Sequence, residues 1–214
     1  QDALEIGPIA AFDVKAACSA FIYSLSIGDQ FIQTGKYQTV LVIGAEVQST
    51  ALDMSTKGRD MAVLFGDGAG AVILKKHDGD SGILSTHLHC QGKYLKELWC
   101  EGPTSRENPR LSADMLKEGR HFPYMNGREV FKNAVRRFPE VIQEALNEND
   151  LSIDDVSLII PHQANERITI SVRKKLGIEE SKVFSNIHKF GNTTGASIPI
   201  ALCDAYEQGK IFKK

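Results

Sequence analysis

The chain has 214 residues, 42% of them hydrophobic and 24% charged, and its formal net charge is −2. Such a composition is typical of a globular protein with a sizeable core, in one domain or two small ones. The near-neutral charge balance argues against nucleic acid as the main partner. No apolar run approaches the roughly 18 residues that indicate a membrane span, and no signal peptide is visible.

Four irregularly spaced cysteines favour free thiols in a reducing compartment over a disulfide framework, so we predict a cytoplasmic protein. They are Cys18, Cys90, Cys100 and Cys203. The chain begins at Gln1 without a methionine and soon enters an apolar segment, and it stops shortly after a helical pattern. We therefore expect sequence to be missing at both ends.

The first part of the chain alternates strand and helix patterns. An apolar strand is predicted at 8–14, and a helix with apolar residues at helical spacing is predicted from Cys18 until Gly35. The run "TVLVIGAEV" (39–47) predicts a strand buried on both faces, as in parallel sheets. Two strands joined by a glycine-rich turn are predicted at 61–76, and a further strand at 82–90.

The second part begins with an irregular surface excursion, predicted over 92–120. An amphipathic helix follows at 127–150, with a bend expected at its internal proline. The remaining pattern predicts a buried strand entering a loop, a helix, a short strand, a glycine-rich loop and a final helix, over 156–210. The alternation indicates a layered α/β fold.

Cys18, in "AACSA", falls where a strand pattern gives way to a helix. Free N–H groups and the helix dipole at such a position favour a thiolate, and the small neighbours leave room for a substrate. This predicts a nucleophile. A small buried thiol without chemical function is the alternative, and the stretch alone favours that alternative.

His162 and Asn192 occupy comparable positions, in "IIPHQAN" and "FGNTTGAS". Ligands bind at the carboxyl ends of strands in open α/β sheets, and both residues follow such segments. A loop histidine bonded to backbone and a turn asparagine are the simpler interpretations. We also expect Thr194 or Ser197 to cap the final helix.

Together, the three residues favour an active site, because a cysteine nucleophile needs a base or donor that is distant in sequence and close in space. The residue types alone are also compatible with a cysteine protease.

Two further motifs have simpler interpretations. "FGDGAGAVIL" lacks the lysine and hydroxyl ending of a phosphate loop and is followed by a strand pattern. "HLHC" contains His87, His89 and Cys90, but no second pair at zinc-site spacing accompanies it, so we expect solvated strand residues and no metal.

The chain resembles the beta-ketoacyl-acyl carrier protein synthase III family of the thiolase superfamily. The matching stretches, in the same order, are "AFDVKAACSAFIYSLSIGDQFI", "VLVIGAE", "FGDGAGAVIL", "MNGREVFK", "PHQANERI" and "HKFGNTTGASIPIAL". The resemblance implies a duplicated α-β-α-β-α layered fold, present here in part. It places the nucleophile half in residues 1–90 and the histidine and asparagine half in residues 91–214.

The resemblance also implies an activity and a set of site residues. It implies condensation of an acyl-coenzyme A primer with malonyl-acyl carrier protein, initiating fatty acid biosynthesis, by a homodimer without cofactors. The implied catalytic residues are Cys18, His162 and Asn192. Implied substrate contacts are Arg59, Phe65, Met125, Gly127 and Asn165, and the implied carrier contacts are Gln163, Ala164, Asn165, Glu166 and Arg167.

The chain lacks the family's first strands and its glycine-rich C-terminal strand, which supplies a backbone N–H to an oxyanion hole. Two alternatives to fatty acid initiation therefore stay open. One is a related condensing enzyme of secondary metabolism, and the other is an inactive carrier-binding fragment.

Overall fold

The computed structural model describes residues 1–79 and 81–211. Within these residues the strands are β1 (Thr39–Glu46), β2 (Gly68–Lys75), β3 (Leu98–Cys100) and β4 (Pro123–Met125). The helices are α1 (Ala20–Gln33), α2 (Arg59–Ala62), α3 (Ala113–Glu118), α4 (Gly127–Glu148), α5 (Glu166–Leu176), α6 (Ile187–Phe190) and α7 (Ser197–Glu207).

The strands β1 and β2 form an antiparallel pair, with Thr39 opposite Lys75 and Glu46 opposite Gly68. Helices α1 and α7 pack on this pair. The alternation of β-branched and small residues buries one face, on which Val42 is 4% exposed. On the other face Leu41 and Ile43 remain exposed. The prediction of a parallel strand buried on both faces is therefore wrong for this chain.

The glycine-rich segment forms the start of β2 and is not a turn between two strands. A Cβ atom on Gly70 would lie 2.9 Å from both the Ile200 nitrogen and the Pro199 Cβ. Glycine therefore allows the backbone of α7 to approach the sheet closely. Met61, predicted to begin the first of the two strands, lies in α2 instead.

The segments 8–14 and 82–90 were also predicted as strands, and neither joins a ladder within the described residues. The apolar run before His162 makes only an isolated parallel bridge, between Ile159 and Val183. A strand is defined by its hydrogen-bonded neighbour, and none of the described segments pairs with these runs over more than one residue.

The four longer predicted helices are confirmed as α1, α4, α5 and α7. Gly35 adopts the left-handed conformation just after α1, as the stop signal predicted, and Gly177 does the same after α5. The excursion over 92–120 is more regular than expected, because it contains β3 and α3. The Arg120 guanidinium closes it by bridging Glu101 and Glu107 at 2.8 and 2.7 Å.

A core cluster beneath α7 joins Phe184, Ala201 and Ala205 to the flanking Leu158 and Ile160. Since α7 also packs on β2, the C-terminal helix lies against the strands of the N-terminal part. The boundary at residue 90 stays a prediction.

None of the helices in the described part of the chain combines the length and apolar character needed to cross a bilayer.

Candidate active site

The nucleophile candidate lies on a tight turn. Residues Ala17–Ser19 form one 3-10 turn that leads directly into α1, and Ala17 has φ +46°. A non-glycine residue in this conformation is strained and is most often found at functional sites. The turn presents Cys18 to a largely apolar cavity of about 1030 Å³, whose wall also includes His162.

The electrostatics of Cys18 differ from the sequence-based expectation of a thiolate. Burial, and to a smaller extent the carboxylate of Glu46, together raise the pKa of the Cys18 thiol to about 11, although a backbone hydrogen bond opposes them. Desolvation and a negative neighbour thus outweigh the favourable end of the helix. Cys18 is therefore a protonated thiol at neutral pH.

His162 is held by a hydroxyl from α7. Its Nδ1 lies 2.6 Å from Ser197 Oγ, and that Oγ also accepts a hydrogen bond from the Gln163 backbone N–H at 3.3 Å. Burial lowers the pKa of His162 to about 4, so the imidazole is neutral at neutral pH.

The hydrogen bonds around Ser197 determine which imidazole nitrogen carries the proton. Ser197 Oγ accepts from Gln163, and its own proton has one acceptor among the described residues, His162 Nδ1. We therefore assign Nδ1 as the acceptor and Nε2 as the N–H of the neutral ring. Nε2 has no protein partner within the described residues.

Asn192 is oriented in a similar way. Its Oδ1 accepts from the Thr194 backbone N–H at 2.9 Å, and its own backbone N–H donates to the Leu64 carbonyl at 2.8 Å. The residue is 6% exposed, and the hydrogen bond that its side chain makes within the described part of the chain is the one at Oδ1, which leaves Nδ2 unpaired there. Among the described residues, Asn192 thus keeps both hydrogens of its Nδ2 free, and His162 keeps its Nε2–H free.

The asparagine loop, residues 192–196, packs against the Cys18 turn. A Cβ atom on Gly195 would lie 3.4 Å from the Ala17 carbonyl oxygen and 3.7 Å from the Ala20 Cβ. Ser197, which holds His162, follows this loop directly. The fold therefore brings together the three elements that the sequence analysis selected.

The predicted substrate contacts lie on a neighbouring part of the molecule. Arg59 is exposed at the start of α2, which packs against β4, where Met125 is the last residue. Gly127 begins α4, and Phe65 pairs with Asn192 in a parallel bridge. Asn165 caps α5 by accepting from the Arg167 N–H at 2.9 Å. Their role in binding substrate stays a prediction.

The predicted carrier contacts need one correction. The Gln163 side chain is 2% exposed, donates to the Pro161 carbonyl and accepts from the Asn186 N–H. It is therefore an internal bridge and is unavailable to a carrier. Glu166 and Arg167 are exposed at the start of α5, whereas Ala164 is half-buried; carrier contact at these residues stays a prediction.

Of the histidines in "HLHC", His89 is exposed as predicted, whereas the His87 side chain is largely buried, contrary to the prediction. His87 Nδ1 and His89 Nε2 lie 3.1 and 2.7 Å from the two carboxylate oxygens of Glu144. Ser85 Oγ lies 2.8 Å from His87 Nε2 and accepts from Asn149 at 2.7 Å. The cluster ties this segment to α4. No group suited to a metal ion occurs within residues 1–79 and 81–211.

Sequence reasoning missed two residues of the site. Ser197 was expected as a helix cap, but neither it nor Thr194 caps α7 with its side chain. Glu46, the last residue of β1, accepts from the Gly195 backbone N–H at 3.2 Å. A polar residue at the carboxyl end of a buried strand was the available signal for Glu46.

Comparisons with known proteins identify the family to which the chain is similar. Residues 12–92 match the sequence profile of the 3-oxoacyl-[acyl-carrier-protein] synthase III family, and residues 146–214 match that of its C-terminal region. A beta-ketoacyl-[acyl-carrier-protein] synthase III from Rhodospirillum centenum is 46% identical over 206 residues, which cover 94% of this chain and 60% of that protein. The chain thus spans about 60% of the length of the curated relatives it matches.

Solved structures show the same relationship. The crystal structure of the Aquifex aeolicus 3-oxoacyl-[acyl-carrier-protein] synthase III superposes with a TM-score of 0.86 at 44% identity, covering 99% of this chain and 62% of that one. The priming beta-ketosynthase of the R1128 polyketide pathway superposes at 0.78 with 29% identity, covering 94% and 58%.

The fold is therefore that of the thiolase-like condensing enzymes, present here in part. Within that class, the chain belongs to the 3-oxoacyl-acyl carrier protein synthase III family.

Proposed function

We propose that the protein is an acyltransferase that condenses an acyl-coenzyme A primer with malonyl-acyl carrier protein, through an acyl-Cys18 intermediate. The reaction gives a 3-oxoacyl-acyl carrier protein and would initiate fatty acid biosynthesis. The observation that carries the proposal is that Cys18 and His162 line one cavity, while the loop that holds Asn192 packs against the Cys18 turn.

In the first step, Cys18 Sγ attacks the thioester carbonyl of the primer. The C–S bond to coenzyme A breaks, and the thiol proton of Cys18 finally resides on the coenzyme A thiol. Because a thiol replaces a thiol, no net proton is gained or lost. The high pKa of Cys18 means that deprotonation must accompany the attack, and a thiol at rest is protected from oxidation.

In the second step, the malonyl thioester loses carbon dioxide, and the electron pair of the broken C–C bond forms an enolate. The carbonyl oxygen then carries negative charge, which His162 Nε2–H and Asn192 Nδ2–H stabilise as donors. One such donor is commonly worth about 2.7–4 kcal/mol in the transition state. A neutral histidine suits this role because its proton stays in place at neutral pH.

The enolate carbon then attacks the acyl-Cys18 carbonyl. A new C–C bond forms, the thioester to Cys18 breaks, and the departing thiolate takes up a proton from solvent. The high pKa of Cys18 favours that protonation and restores the resting thiol.

We propose that Arg59, Phe65, Met125, Gly127 and Asn165 contact the coenzyme A and acyl moieties. Arg167, which is exposed, would meet the phosphate or the acidic carrier at the start of α5. We also propose that the active form is a homodimer.

Intact-protein mass spectrometry after incubation with a panel of acyl-coenzyme A thioesters tests the proposal. We expect a single acyl adduct with at least one primer, which malonyl-acyl carrier protein then discharges. Absence of any adduct across the panel would contradict an active synthase and would favour a carrier-binding role without catalysis.

A second candidate is a condensing enzyme of secondary metabolism that keeps the same chemistry. The similarity to the R1128 priming beta-ketosynthase supports it. The same panel separates the two candidates, if carriers from both kinds of pathway are offered as acceptors. A preference for the fatty acid carrier supports the first candidate.

A further inference from the structure

We propose that Glu46 is a positioning residue that fastens the asparagine loop (192–196) to the Cys18 turn. The expected effect of Glu46 on condensation rests on the proposed function. Its effect on the position of the asparagine loop does not. Glu46 Oε1 accepts a hydrogen bond from the Gly195 backbone N–H at 3.2 Å, across 149 positions of sequence.

The position of Gly195 shows why this bond matters. A Cβ atom there would lie 3.0 Å from Glu46 Oε1 on one side and 3.4 Å from the Ala17 carbonyl oxygen on the other. A Cβ atom on Gly44 would lie only 2.5 Å from the Gly195 carbonyl oxygen. The asparagine loop is therefore held between the end of β1 and the Cys18 turn, with little space to move.

A second contact supports the first. Gln48 Nε2 lies 3.3 Å from both Glu46 Oε2 and Thr194 Oγ1. Gln48 is itself fixed, because its backbone N–H donates to Asp67 Oδ1 at 2.6 Å. Both oxygens of the Glu46 carboxylate thus have a donor, and the segment after β1 holds the asparagine loop at Thr194 as well.

The bonds of Glu46 act on Asn192 through the same loop. The Thr194 N–H that orients Asn192 Oδ1 belongs to the residue before Gly195. Thr194 has φ +45°, a strained conformation that persists only where neighbouring contacts impose it. Loss of the Glu46 bond would therefore let the turn relax and release the Asn192 donor from its orientation.

Glu46 has a second effect, which comes from its charge. The carboxylate raises the pKa of Cys18 beyond what burial does. His162, which lines the same cavity, is neutral and does not offset that charge. The Gly195 hydrogen bond and the charge are separable, because a glutamine keeps one acceptor oxygen for the Gly195 N–H and loses the charge; only the second acceptor, which faces Gln48, is replaced by a donor.

The experiment compares Glu46→Gln and Glu46→Ala with the unaltered chain and with Glu148→Gln, a change of an exposed glutamate at the end of α4. Hydrogen exchange of the peptide containing Gly195 reports the bond. Peptide-resolved alkylation by iodoacetamide at pH 8 reports the Cys18 thiolate, with the exposed Cys203 as internal reference. Neither measurement requires acyl transfer.

We expect Glu46→Gln to keep the exchange protection of the loop, to raise Cys18 alkylation about twofold or more, and to keep most condensation activity. We expect Glu46→Ala to lose the protection and to reduce condensation about tenfold or more, with self-acylation retained. Glu148→Gln should change none of these.

Unchanged exchange in Glu46→Ala, or unchanged Cys18 alkylation in Glu46→Gln, would overturn the inference. If Glu46→Ala does not fold, Glu46→Asp, whose shorter side chain draws the acceptor away from the Gly195 N–H, decides through hydrogen exchange of the same peptide, and unchanged exchange there would overturn the inference. If the unaltered chain forms no acyl adduct, the proposed function fails, while exchange and alkylation still test the role of Glu46.

Discussion

The Cys18 turn and the asparagine loop have the same backbone conformation but carry side chains with different chemical roles. Each is a three-residue 3-10 turn whose first residue has positive φ, +46° at Ala17 and +45° at Thr194, and each leads directly into a helix. Both helices pack on the β1–β2 pair. Cys18 and Gly195 occupy the same position, the second residue, in the two 3-10 turns.

The difference between the two turns lies in how their polar groups are satisfied. Asn192 Oδ1 accepts from the Thr194 N–H and His162 Nδ1 accepts from Ser197 Oγ, so the Nδ2 hydrogens of Asn192 and the Nε2–H of His162 are left for a substrate. Around Cys18, burial and a carboxylate disfavour the thiolate. The asparagine loop therefore holds the Asn192 donor in a fixed orientation, whereas the Cys18 turn holds its nucleophile as a protonated thiol. The following changes test that division, from the largest expected effect to the smallest.

Replacement of the nucleophile should have the largest effect. Cys18→Ser should reduce acyl adduct formation by a factor on the order of 10³ or more, because a hydroxyl in this apolar site has no activating base. Mass spectrometry of the adduct checks this. The matched control is Cys203→Ser, which changes an exposed thiol and should leave the adduct unchanged; an equal loss in both variants would contradict the assignment.

Removal of a donor should affect only the second step. Asn192→Ala should lower condensation by about 10²–10³ and leave self-acylation nearly intact, because its Nδ2 stabilises only the enolate. Separate assays of primer loading and product release measure the two steps. The control Asn147→Ala changes an exposed amide on α4. A parallel loss of both steps in Asn192→Ala would argue against separate roles.

The buried imidazole should make stability depend on pH. The pKa of His162 is lowered to about 4 in the folded chain, whereas a free histidine titrates near 6.5. Between these values the unfolded chain binds the extra proton, so stability is full above about pH 6.5 and falls as the pH approaches 4. The loss is about 3 kcal/mol.

Urea unfolding at several pH values measures this loss. In His162→Gln, which removes the titrating group, the dependence on pH between 6.5 and 4 should be weaker by that amount. An identical pH profile for the two proteins would show that His162 is not the group responsible.

The smallest effect on condensation is expected for a change of Ser197, the residue that orients the His162 imidazole. Ser197→Ala should lower condensation about tenfold, because Nδ1 loses its donor and the proton is no longer confined to Nε2. Nitrogen NMR of the labelled histidine reports the tautomer directly. Ser171→Ala, on the outer part of α5, is the control. Retention of the Nε2–H tautomer in Ser197→Ala would contradict the assignment.

Local patterns predicted much of this architecture. Helical spacing located α1 and α5, with a glycine stop for α1, and the strand-to-helix junctions located Cys18, His162 and Asn192. Glycine after a helix and apolar periodicity depend on neighbouring residues, so they can be read from the sequence.

What could not be predicted depends on contacts distant in sequence. The protonation of Cys18 is governed by burial and by Glu46, and the orientation of His162 by Ser197, 35 positions away. The internal role of Gln163 follows from Asn186. The expected strands at 8–14 and 82–90 failed because an apolar pattern does not reveal whether a pairing strand is present.

The most direct test of the division between the two turns is peptide-level mass spectrometry of acyl-Cys18 before and after addition of malonyl-acyl carrier protein. In the unaltered chain, the primer should load onto Cys18 and then disappear as product forms. In Asn192→Ala, the acyl group should load to the same extent and persist. Failure of Asn192→Ala to load, or its discharge at the rate of the unaltered chain, would contradict separate nucleophile and donor turns.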